Sequence, residues 1–313
     1  MKPFVALVRR EWWEHQAGFL WTPLVICGLM VLIALPLLAG GEADVSVSFE
    51  RQQGTHTERQ LHQWDQGLLG LLDVSAWSSQ QIAERSAQSR HLVARPFQLV
   101  HLLVAIFVLL GALHDERKDR SVLFYKSLPI SDGQTVASKL VLAVWVAPLV
   151  TVAAVVFTQL ALLLMISAAG AMRGASGVAS LWQQAGLLRG ALELLFGYLL
   201  QGLWTLPVYA WLLLVSAAAP RVPLLWAALI PLLLVVLEAA LLGSATLRAA
   251  IVDHLAFRAL PRPPPWFGGE GQAGVGLPEQ LALLLQGELW LGLAIAVGFL
   301  AATVWFRQRN AEL

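Results

Sequence analysis

Six apolar runs, separated by polar or charged stretches, dominate the chain: Phe19–Ala39, Phe97–Leu113, Leu140–Ser167, Leu192–Ala218, Val222–Gly243 and Leu289–Phe306. About 20 apolar residues in a helix cross the ~30 Å hydrocarbon core of a bilayer. The pattern therefore predicts an all-α integral membrane protein with six transmembrane helices in a single domain over residues 1–313. The third run exceeds what a bilayer requires and is expected to tilt or protrude. Pro36, Pro148, Pro207 and Pro231 lie in or near the runs and are expected to bend their helices, since each removes a backbone donor. The first run is too long for a cleaved signal and is expected to be retained.

The polar stretches carry their own periodicities. In residues 1–18, Phe4, Leu7, Val8 and Trp12 recur at helical spacing, with Arg9, Arg10 and Glu14 around the other face. An amphipathic elbow helix lying in the membrane interface is expected there. Residues 40–96 are polar and mostly helix-compatible, which predicts an outer-side helical insertion, with Ser78 or Ser79 capping its second helix. Residues 244–288 contain a short amphipathic stretch, the breaker-rich "PRPPPWFGGEGQAGVG" and a helix start at Pro278. They predict a re-entrant or interfacial segment on the outer side, with short helices before the last span.

The remaining stretch, "HDERKDRSVLFYKSLPISDGQTVASK" at 114–139, concentrates charge in a chain that is only 13% charged. Glu116 and Arg120 stand four apart, a spacing that supports a helix. Phe124, Tyr125 and Leu128 share a face, and Pro129 ends the helix. Ser131 and Gln134 form a capping box for a second helix that runs into the third span. Exposed aromatics rimmed by charge indicate either a docking surface for a soluble partner or a membrane-surface contact.

Composition agrees with the class: 58% of residues are hydrophobic and the mean hydropathy is +0.67. All four lysines (Lys2, Lys118, Lys126, Lys139) fall on the side that six spans assign to both termini. The positive-inside bias makes that side cytoplasmic. The lone cysteine, Cys27, excludes an intrachain disulfide and is read as packing. His56, His62 and His91 lack a metal-ligand spacing, so no metal is expected. The chain has no G-x-x-x-x-G-K-[ST], no H-E-x-x-H and no G-x-S-x-G. It is expected to be no enzyme and to bind no cofactor or nucleic acid. Glu193 and Glu238 lie inside spans and are candidates for a substrate path. Arg189 stands four before Glu193 and can pair with it locally, and Glu238 could instead pair with Arg248.

The 106–142 region resembles the cytoplasmic loop of ABC-2 type transporter permeases, in which D-E-R precedes K-S-L-P-[IV]-S and then a lysine opens the third span. The matching residues are Asp115, Glu116 and Arg117, then Lys126, Ser127, Leu128, Pro129, Ile130 and Ser131, then Lys139. "VRREWWEH" resembles the elbow helix of the same family, with Arg9, Arg10, Glu11 and Trp12. The resemblance implies that residues 114–131 form a coupling-helix loop. It would dock on a separate ATPase subunit through Asp115, Glu116, Arg117, Arg120, Phe124, Tyr125, Lys126, Leu128 and Pro129. ATP and magnesium would sit on that partner. A second permease copy, identical or related, would complete an exporter in a bacterial inner membrane. An ion-coupled secondary transporter and a non-transporting scaffold that recruits a cytosolic protein are the alternatives. The substrate is not legible.

Overall fold

In the computed structural model, the described residues are 2–39, 51–53, 56–58, 78–119, 130–172, 178–260 and 276–309. The fold is helical, with one short antiparallel strand pair, β1 (Arg51–Gln53) and β2 (His56–Glu58). Among the described residues, five helices are long and apolar enough to cross a membrane: Pro3–Pro36, Ser89–Lys118, Asp132–Met172, Pro223–Leu242 and Gly287–Arg309. A bent pair, Val178–Trp204 with Leu206–Ala218, makes up to six if it counts as one span. These segments coincide with the six apolar runs.

The N-terminal segment departs from the expectation of a separate elbow. Helix α1 (Lys2–Gln16) passes through a π-helical turn at Ala17–Trp21 into α2 (Thr22–Ala39) without a break. The burial pattern within α1 is the expected one, with Leu7 buried and Arg9 and Arg10 exposed. A second π turn, Leu142–Val146, joins α5 (Asp132–Val141) to α6 (Ala147–Met172). Each π turn sits just ahead of a proline, Pro23 or Pro148. A proline cannot donate to the carbonyl four residues back and crowds it. That carbonyl belongs to Phe19 in one case and Val144 in the other, both inside the wide turn. The π turn therefore absorbs the proline while the helix continues, here with Ala147 N–H bonded to Leu142 O. The combined 41-residue helix is about 60 Å long at 1.5 Å per residue, twice the hydrocarbon thickness.

The outer insertion is also corrected. Helix α3 runs unbroken from Ser79 to Ala112 through Pro96, so "SSQQIAERSAQSRHLV" is the start of the second span and not the arm of a separate hairpin. Its first turn closes on Ser78 O, which accepts from Ile82 N–H at 3.1 Å. Within the expected insertion, residues 51–53 and 56–58 pair as strands, and 40–50, 54–55 and 59–77 lie outside the described residues. After α3 come α4 (His114–Lys118), α5 and α6, then α7 (Val178–Gln184), α8 (Leu187–Trp204) and α9 (Leu206–Ala218). Gly186, between α7 and α8, has φ +55°, a left-handed conformation that needs no Cβ. Helices α8 and α9 meet at Thr205 with a 52° bend, where Pro207 opens α9. Then follow α10 (Pro223–Leu242), α11 (Thr246–Leu255), α12 (Leu277–Leu283) and α13 (Gly287–Arg309).

The main core joins α3, the α5–α6 junction and α9, with Leu109, Leu113, Leu142, Ala147 and Leu213 fully buried. A second cluster packs Cys27, Phe97, Val155, Leu194 and Leu260. Helix α10 buries no residue. It is apolar all round, as a helix solvated by hydrocarbon should be.

Candidate functional site

Helix α5 organises the charged end of the bundle. The expected capping box is present. Gln134 N–H donates to Ser131 Oγ at 3.2 Å, and Ser131 N–H donates to Gln134 Oε1 at 3.1 Å. That fixes the helix start, and with it the face shared by Asp132 in the first turn and Lys139 two turns later. Both side chains point toward α4 and the end of α13.

There they meet a linear chain of opposite charges. Lys139 Nζ donates to Glu11 Oε1 and Oε2 at 2.9 and 3.0 Å. It also lies 2.8 Å from Glu116 Oε1. Arg307 Nη1 donates to Glu116 Oε2 at 2.6 Å, and Arg307 Nε donates to Asp132 Oδ1 at 2.8 Å. His15 Nε2 stands 3.8 Å from Glu11 Oε2. Glu11 is 0% exposed, Lys139 3%, and Glu116 and Arg307 6% each. Four separate elements (α1, α4, α5 and α13) are thereby tied at one point. The pairs span 128 and 191 residues of sequence.

A second lock holds α4 to α9. Ser216 Oγ accepts from the Leu113 and His114 N–H groups, both at 3.0 Å, and donates to Leu110 O at 2.7 Å. It satisfies the backbone where α3 gives way to α4. Arg117 Nη2 donates to Ser216 O at 2.9 Å and Ala219 O at 2.7 Å, so a guanidinium caps the carbonyl end of α9.

These facts reassign part of the expected docking set. Glu116 is turned inward onto Lys139 and Arg307, and Arg117 is spent on α9. Both are engaged within the bundle and are not free to meet a partner. Asp115 remains exposed. Arg120, Phe124, Tyr125, Lys126, Leu128 and Pro129 lie outside the described residues. In the α1 set, Arg9 and Arg10 are exposed and Arg10 approaches Glu14 at 3.6 Å. Trp12 packs against the main core. Glu11 is the buried anchor.

The two candidates for a substrate path are each engaged locally. Arg189 Nε donates to Glu193 Oε1 at 2.8 Å, the expected i,i+4 pair. Glu238 accepts from Ser244 Oγ at 2.8 Å, Thr246 N–H at 2.8 Å, Leu247 N–H at 2.9 Å and the Thr246 hydroxyl. Its carboxylate caps the N-terminus of α11, where a negative charge complements the helix dipole. That role replaces the expected pairing with Arg248.

Two glutamines are absent from the sequence reading. Gln201 Nε2 donates to Ala256 O at 2.9 Å and Thr205 Oγ1 at 3.0 Å, and Gln201 Oε1 accepts from Ala259 N–H at 3.2 Å. Gln280 Nε2 donates to Ala259 O at 2.9 Å and Glu193 O at 3.1 Å. Together they satisfy the non-helical backbone at 256–260, which hydrocarbon could not. Among the described residues, no group of three or more His, Cys, Asp or Glu is placed to hold a metal.

No protein-family model matches the chain, and neither a curated protein nor a solved structure matches it.

Proposed function

We propose that the chain is the membrane-embedded permease subunit of a two-component transporter of the ABC-2 type. An ATP-hydrolysing subunit, carrying ATP and magnesium, grips the segment that joins α4 to α5. In this reading the chain sits in a bacterial inner membrane with both termini in the cytoplasm. A second permease copy lies beside it, and the pair exports or flips its substrate.

The observation that carries the reading is the buried charge chain. Glu116 enters the 119–130 segment and Asp132 and Lys139 leave it. Glu116 and Asp132 both pair with Arg307 of α13, and Lys139 pairs with Glu116 and with Glu11 of α1. A passive tether between two spans has no use for such fastening. A segment that is pulled does, because any displacement is then passed to α3, α5–α6, α1 and α13 together. The exposed Asp115, with Phe124, Tyr125 and Leu128 from the sequence, supplies the contact surface, and charge sets its register.

The test is co-purification of the full chain with a co-expressed candidate ABC ATPase subunit. Phe124→Ala/Tyr125→Ala is expected to abolish association while the protein still inserts and runs as a single species. Retained association refutes the docking assignment. A bound partner without ATPase activity would instead indicate a scaffold.

A further inference from the structure

Away from the charged end, three departures from helical regularity converge on one crevice. These are the π turn at 142–146, the bend at Thr205 and the non-helical stretch after Leu255. Discontinuous helices and π turns inside a membrane bundle are where binding groups are commonly presented. The crevice is lined by His101, Tyr198, Gln201, Thr205, Tyr209 and Phe257, among others, with no carboxylate, lysine or arginine. The space within it is about that of one water molecule or hydroxyl group.

The hydrogen-bonding capacity at this crevice is incompletely used. Tyr198 is 3% exposed, and its hydroxyl has no hydrogen-bond partner among the described residues. Leaving such a group unpaired costs stability, so its retention in a buried position asks for a ligand. His101 supplies the complementary half. Thr151 Oγ1 donates its own proton to Ala147 O at 2.9 Å. At 3.1 Å it can therefore only accept from His101 Nδ1. This fixes the tautomer and leaves Nε2 as an acceptor. The His101 and Tyr198 rings meet edge to face with centroids 5.5 Å apart and both line the crevice, so it is offered an acceptor and a donor.

We propose that this crevice binds the uncharged, hydroxyl-bearing head group of a membrane amphiphile. One hydroxyl donates to His101 Nε2 and accepts from the Tyr198 hydroxyl, and the acyl tail lies along the apolar surface outside. A charged head is disfavoured because no counter-ion lines the site. That the ligand is cargo rests on the permease reading; that it binds does not.

The experiment uses the full chain in phosphatidylcholine nanodiscs with a photoactivatable monoacylglycerol analogue, and labelled peptides are mapped by mass spectrometry. Saturable labelling of residues 190–209 or 255–260 is expected. Unlabelled monoacylglycerol should compete with it, and a trimethylammonium analogue of the same chain length should not. Tyr198→Phe removes only the unpartnered oxygen. It is expected to cut saturable labelling about fivefold, the worth of one hydrogen bond, without lowering the unfolding midpoint. Non-saturable labelling, or labelling unchanged in Tyr198→Phe, would reduce the crevice to a water site and overturn the proposal. Stronger labelling by the cationic analogue would make it an aromatic cation cage and overturn it equally. Labelling needs no ATPase, so failure of the co-purification test would sink the permease reading and leave this one standing, whereas loss of labelling would sink this one alone.

Discussion

Replacing Lys139 by methionine should be among the most damaging single changes available to this protein. Lys139 Nζ makes contacts at 2.8–3.0 Å with carboxylates on two different helices, and both carboxylates are buried. At an effective dielectric of about 20, each charge pair near 3 Å attracts by roughly 5 kcal/mol. Desolvation of the three groups offsets most of that. Truncating one member of a buried pair, however, leaves the other charge stranded, and such losses run to about 3–5 kcal/mol. Glu116 keeps Arg307. Glu11 keeps, among the described residues, only His15 at 3.8 Å, so most of the cost falls on Glu11. The expected shift in the thermal unfolding midpoint of the purified protein in micelles is on the order of 10 °C. The decisive comparison is the double change Lys139→Met/Glu11→Gln. Removing the stranded charge should recover at least half of the loss, although one more native contact is gone. A single-variant cost under about 1 kcal/mol, or a Glu11→Gln loss that simply adds to it, would show that the chain of charges is not energetically coupled.

Three further outcomes follow from particular contacts. Ser216→Ala leaves the Leu113 and His114 N–H groups without their buried acceptor and should cost about 1–3 kcal/mol, read as a lowered unfolding midpoint and faster proteolysis after residue 112. A methyl added at Gly197 would lie 2.7 Å from Ala259 O and 2.8 Å from Gln280 Nε2. Gly197→Ala should therefore destabilise by about 1–3 kcal/mol, whereas Gly298→Ala, which meets nothing within 4 Å, should be neutral or slightly stabilising in the same assay. Glu238→Ala should raise amide hydrogen exchange at residues 244–249 by uncapping α11, while association with an ATPase is unchanged.

What could be read in advance was whatever depends on neighbours in sequence. Five of the apolar runs are helices of spanning length, as their length alone indicates, while the fourth is broken at Thr205 into a bent pair. The Ser131 capping box and the Arg189–Glu193 pair are contained within four residues, and both are present as expected. The elbow was misjudged because the amphipathic spacing of residues 1–18 gives way to an apolar run at Phe19, a change of pattern that does not require a change of direction. The π turn shows that a proline can be accommodated by widening one turn. Pro96 likewise did not interrupt α3, because a helix can lose one bond and continue.

The charged stretch was misread for a deeper reason. Its composition announced a special role, but periodicity cannot say which of six consecutive charges turns inward. That depends on Lys139 and Arg307, of which Arg307 lies 191 residues away at the end of another helix. Each looked ordinary alone: a lysine opening an apolar run, an arginine in a last turn. The glutamines at 201 and 280 were passed over because attention went to ionisable groups. In hydrocarbon, however, a neutral amide that staples exposed backbone does work no carboxylate could do without a counter-ion. A polar residue inside an apolar run is therefore best read by asking which backbone it must satisfy. In this chain that question leads to 256–260 and, through Gln201, to the crevice beside Tyr198.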